Sequence, residues 1–168
     1  QMADSVLENI VNEIVDRLTQ IQIINGYSFD VAGVVRPQRK AITATPKNLS
    51  IQVVQSANRP NMERSHEGNP PALAFDVVFN LHCFVRLPDN EEDTYFTTIN
   101  RMMAAIITAI TTEATDPSMW YTLESNAVNC NWGPMTPFIS PEGEHSGETI
   151  PLVVTYRISE NDPTESRS

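Results

Sequence analysis

From Phe75 the chain alternates. Phe75, Val77, Phe79, Leu81, Cys83, Val85 and Leu87 fall on one side, and Asp76, Asn80, His82 and Arg86 are among those on the other. A period of two predicts a long strand with one buried face. Pro88-Asp89-Asn90 ends it, and Tyr95, Phe96, Ile99, Met102, Met103, Ile106, Ile107 and Ile110 then repeat at helical spacing. The pattern predicts a helix folded back over the apolar face of the strand it follows.

Towards the N-terminus, Ser5-Val6-Leu7-Glu8 reads as a capping box, with Leu7, Ile10, Val11, Ile14, Val15 and Leu18 as the apolar stripe of a helix. Glu8, Asn12, Glu13, Asp16 and Arg17 are expected mostly away from that stripe. Asn25-Gly26 ends the element after a fraying stretch at 20–24. A short strand is expected at 31–35, stopped by Pro37, and a second at 49–57. Residues 38–47 carry no clear period. The segment 58–71 is polar, with three prolines and one glycine, and reads as a long loop that is either mobile or ordered by a partner. After the main helix, Asp116-Pro117 marks a stop, 127–132 is compatible with a strand, and 137–147 reads as a second loop. Ile150, Leu152, Val154, Tyr156 and Ile158 alternate as a final strand, in which Pro151 implies an edge position or a bulge. The fold class is therefore α/β (α+β): a two-layer sandwich with a mixed or mostly antiparallel sheet and two long helices on one face. Residues 2–159 form one domain, and 160–168, poor in apolar residues, form a flexible tail.

The chain has 168 residues and a formal net charge of −10, from 11 basic and 21 acidic residues. Such a balance argues against a phosphate-binding protein, which needs excess Lys and Arg to displace counterions. Cys83 and Cys130 are too few for a disulfide framework and lack zinc-site spacing, and Cys83 reads as a small buried hydrophobe. No apolar run approaches the roughly 20 residues that span a bilayer, so a soluble protein made in a reducing compartment is expected.

Chemistry-bearing patterns are sparse. His66 and His145 fall in loops and His82 on the polar strand face, without ligand spacing to join them. Ser146-Gly147 precedes a strand, the wrong context for a nucleophile elbow, and the six glycines form no phosphate-cradling fingerprint. Glu91-Glu92-Asp93 suits the positive end of a helix dipole. Glu142-Gly143-Glu144 is either a cation site or a solvated loop. Met102 and Met103 read as core. Arg36, Arg39, Lys40 and Lys47 form a basic stretch that either meets an acidic surface of a neighbouring copy or is a solvated loop.

Several stretches together carry a family resemblance: LENIVNEIVDRLTQI running into NGYSFDVAGVVRP, FDVVFNLHCFVRL followed by NRMMAAIITAI, and the closing IPLVVTYRIS. From about Met2 to Ser159 the chain resembles the tail terminator, or tail completion, proteins of long-tailed, siphovirus-like bacteriophages. The resemblance implies a structural virion protein with no catalytic, cofactor or metal residues, made in the host cytoplasm and placed at the head–tail junction. It implies a homo-oligomer, a hexameric ring that caps the tail tube and joins it to the neck. The partners implied are the major tail tube protein and a neck or head-completion protein, with no membrane. Genomic DNA would pass through the lumen without specific binding, helped by carboxylates along the bore. Residues expected at the subunit interface are Arg36, Arg39, Lys40 and Lys47, with Arg59, Glu63, Arg64 and His66 from the first loop and Glu142 and Glu144 from the second. The alternatives are a neck or stopper protein, a tail tube subunit, or, from another class, a small enzyme of unrecognised type.

Overall fold

The computed structural model describes residues 4–36, 47–65, 67, 71–86, 92–112, 121–139, 145–159 and 161–166. These residues form a mixed α/β domain with a curled seven-stranded sheet and two α-helices.

Helix α1 spans Val6–Thr19, and the Ser5 hydroxyl accepts the Glu8 amide at 3.1 Å, which satisfies one orphan donor of the first turn. The Glu8 side chain does not complete the capping box, because Arg36 takes it in a salt bridge. Ile10, Ile14 and Leu18 are fully buried, as the stripe requires. Arg17 departs from expectation: it is 1% exposed. It lies seven residues after Ile10 and three after Ile14, so the helix itself turns it into the core. A 3-10 turn, Ile23–Asn25, follows, closed by Gly26 in the left-handed region at φ 92°.

The strands are β1 (Gly33–Val35), β2 (Ser50–Pro60), β3 (Ala72–Arg86), β4 (Asn129–Trp132), β5 (Thr136–Ile139), β6 (His145–Ser159) and β7 (Asp162–Ser166), with α2 (Glu92–Thr112) between β3 and β4. The sheet order is β1-β2-β3-β6-β4, with β5 and β7 also paired to β6. β1 is parallel to β2, and the other pairs are antiparallel. β3 and β6 pair in unbroken register from Ala72↔Ser159 to Arg86↔His145 and form the spine of the sheet.

Pro151 therefore lies in an internal strand, not at an edge. The Pro151 carbonyl accepts the Gly133 amide at 2.8 Å, so this residue's backbone groups face the β4–β5 side. There β4 pairs with residues 152–155 and β5 with 146–149. The missing proline N–H thus falls in the gap between two ladders, where no donor is needed. Strand β6 also approaches β3 closely at Gly147, where a Cβ would lie 1.6 Å from the Cys83 carbonyl oxygen.

Val77, Phe79, Leu81, Cys83 and Val85 of β3 are fully buried and cluster with Ile150, Leu152 and Val154 of β6. Ile10, Ile14 and Leu18 of α1 and Met102, Ile106 and Ile110 of α2 complete this single core. Each such side chain contributes about 1.5–3 kcal/mol of burial. Phe96, counted in the α2 stripe by spacing, is instead 70% exposed.

The strands outrun their apolar patterns. β2 continues to Pro60, β6 begins at His145, and β5 occupies part of the stretch read as a second loop. Residues 162–166, read as tail, form β7 beside β6, and the Ser166 hydroxyl donates to the Ser125 carbonyl at 3.0 Å. In each case a neighbouring strand offers partners for backbone N–H and C=O groups, which reward pairing whatever the side-chain pattern. The short strand expected at 31–35 shrinks to Gly33–Val35.

Candidate functional site

The described chemistry-bearing residues mostly serve the fold. The Arg17 guanidinium donates to Glu13 Oε1 at 2.9 Å and to the Ile110 carbonyl at 2.5 Å, and lies 3.6 Å from Glu124. It joins α1, the last turn of α2 and the turn after it, where Leu123, Glu124 and Ser125 all have positive φ. His82 is half-buried, with Nδ1 2.8 Å from Thr149 Oγ1 and its ring edge-on to Phe138 at 5.9 Å. Burial pushes its pKa down. The Cys130 thiol is pushed up to about 12 by burial, against the opposing charge of Arg17, and burial also pushes Cys83 up. Glu148, opposite Cys83 in the ladder, is raised by desolvation. Among the described residues no group of three His, Cys, Asp or Glu side chains is placed to hold a metal ion, and no helix is long and apolar enough to cross a membrane.

The residues expected at a subunit interface are dispersed. Arg36 is paired with Glu8 of its own chain, and its guanidinium holds the Glu8 carboxyl below the usual range. Lys47 is exposed ahead of β2. Arg59, Glu63 and Arg64 are exposed at the far end of β2 and in the turn after it. That turn is ordered from within: Asn61 Nδ2 donates to Asp76 Oδ2 at 3.0 Å, the Ala74 amide donates to Ser65 Oγ at 3.0 Å, and Arg157 Nε donates to the Arg64 carbonyl at 2.7 Å. Arg39, Lys40, His66, Glu142 and Glu144 lie outside the described residues.

The sequence reading missed a surface between the 3-10 turn and α2. Asn25, Gly26 and Tyr27 face Arg101, Ala104 and Thr108 across an open groove of about 320 Å³. Beside it Ile23 is 60% and Ile24 87% exposed. The signal was present in the chain: an Ile-Ile pair directly before Asn-Gly, outside both the helical stripe and any strand alternation. What this surface offers is apolar contact and one cation.

A scan against protein-family models finds no match, and a search of curated proteins finds none either.

Proposed function

We propose that this chain is the subunit of a closed ring at the head–tail junction of a long-tailed bacteriophage, a tail terminator that ends the tail tube and joins it to the neck. In this reading the protomer is a two-layer plate, both long helices lying on one sheet face, with its outer surface given over to neighbours. The resemblance along residues 2–159 supplies the family, and the observation that carries the reading is the exposed Ile23-Ile24 pair beside the groove. Large aliphatic side chains held out by an ordered turn favour a surface that an assembly would cover. The blunted sheet edge agrees with a subunit that must not extend its sheet without limit. Strand β2, which β1 pairs only at residues 50–52, carries a bulge between Gln55 and Asn58 and ends in Arg59-Pro60.

The test is to add the purified protein to growing tail tubes and image them by negative stain. A terminator stops elongation and leaves one ring at one tube end. Incorporation along the tube would assign it as a tube subunit, and binding to neck complexes without any effect on tube length would assign it as a neck protein.

A further inference from the structure

We propose that strand β7 and the left-handed turn at 123–125 form one strap, which opens locally while the rest of the domain stays folded, with Ser166 as its catch. The strap belongs to a single chain, and its opening does not depend on the ring reading above.

The turn is strained. Leu123, Glu124 and Ser125 lie in succession in the left-handed region, at φ 49°, 57° and 66°. None of them is glycine or asparagine, and other residues enter that region singly and at a cost, because Cβ crowds the following carbonyl oxygen. Such a backbone persists only where the surroundings impose it. Here they act from three directions: Leu123 is fully buried, the Glu124 carboxylate lies 3.6 Å from the Arg17 guanidinium, and the Ser125 carbonyl accepts the Ser166 hydroxyl at 3.0 Å. The first two anchors sit in or beside the core, whereas the third hangs on β7.

That third anchor is the weak one. β7 reads Asp-Pro-Thr-Glu-Ser, and each of its residues is exposed or half-buried. It meets β6 at two register pairs, Ile158↔Ser166 and Ser159↔Asp162, with an irregularity between them, whereas β3 and β6 pair without interruption from 72 to 86. An element with so little buried surface and so short a ladder opens at a far lower free energy than the core. When β7 lifts, Ser125 loses its outer anchor and the strained turn relaxes with it, so the two open together. The inner boundary of the unit is Arg17, which keeps Glu13 and the Ile110 carbonyl as partners when Glu124 leaves.

Hydrogen exchange of the full chain, followed amide by amide by NMR, tests the unit in wild type, Ser166→Pro, Ser125→Gly and the two combined. The reporters are the Asn126 and Ala127 amides, which donate to the Leu123 and Thr122 carbonyls, set against the amides of β3. Ser166→Pro removes both the hydroxyl and the amide of the catch, and should speed exchange at the reporters about tenfold or more while β3 is unchanged. Glycine enters the left-handed region without strain, so Ser125→Gly should slow the reporters and, in the combined variant, recover most of the loss. Reporters unmoved by Ser166→Pro overturn the proposal, since β7 and the turn then open separately. Equal acceleration in β3 overturns it as well, because the turn then opens only with the whole domain, and so does a combined variant that exchanges as fast as Ser166→Pro alone.

Discussion

Arg17 shows how much one side chain holds. It is buried, it closes the C-terminal end of α2 through the Ile110 carbonyl, and its partners Glu13 and Glu124 are themselves 22% and 26% exposed. Replacing it with methionine leaves that carbonyl and Glu13 without their donor, and removing one partner of a buried pair costs about 3–5 kcal/mol. The partial exposure of both carboxylates argues for the lower end of this range. Urea denaturation of Arg17→Met should show a large fall in midpoint with an unchanged slope, and Arg17→Lys, which keeps the charge but loses the fork, should fall between. His82 yields a pH dependence of definite sign. Its folded pKa is depressed by burial, so the unfolded chain binds a proton first as pH falls below about 6.5. The His82 contribution is complete above that value and declines as pH drops towards the folded pKa. Glu148 works in the opposite direction, since its folded pKa is raised and its contribution declines as pH rises above the ordinary carboxylate value. His82→Phe should therefore flatten the acid side of the stability profile near pH 6, and an unchanged profile would mean that the ring is protonated in the folded state without cost.

At the scale of elements, the cap of α1 and the spine of the sheet can be weighed separately. Ser5→Ala removes the acceptor for the Glu8 amide and should cost about 1 kcal/mol, read as a small drop in thermal midpoint. Gly147→Ala should be far worse, because the new methyl meets the Cys83 carbonyl, which belongs to the unbroken β3–β6 ladder and has no room to retreat. A loss above roughly 4 kcal/mol, or failure to fold, is expected, and near wild-type stability would show that the two strands can separate locally. The elements with a strong apolar period, α1, α2, β3 and β6, were legible in the sequence because side-chain burial decides them. Strands β5 and β7 and the outer part of β2 were not, since they lack an apolar alternation and are held by backbone pairing to the neighbouring strand. The site was less legible still. Arg36 is basic as expected, but its bond to Glu8 depends on 28 residues of chain doubling back. The groove exists only because the turn after α1 comes to rest against α2.

Over the whole molecule the question is where the charge faces. Arg17 and Arg157 are buried and Arg36 is paired, whereas Asp4, Asp16, Asp30, Glu63, Glu67, Asp162 and Glu165 are all exposed. Arg36, Lys47, Arg59, Arg64, Arg86 and Arg101 are exposed as well, so the acidic outward field comes from the excess of carboxylates behind the net charge of −10. A protein with such a field releases no counterions from DNA, and its purified form should not retard duplex DNA even at about 50 mM salt. In the ring proposed above, the same property would act along the bore. An acidic lumen lets a genome pass without the salt-dependent hold that each neutralised phosphate would add. Substituting lysine for carboxylates mapped to the bore should therefore slow DNA ejection, with the delay shrinking as salt rises, while ring assembly and tail length stay normal. Ejection at the wild-type rate would show that passage is controlled elsewhere, and retardation of DNA by the unmodified protein would mean that the outward field is not what guards the channel.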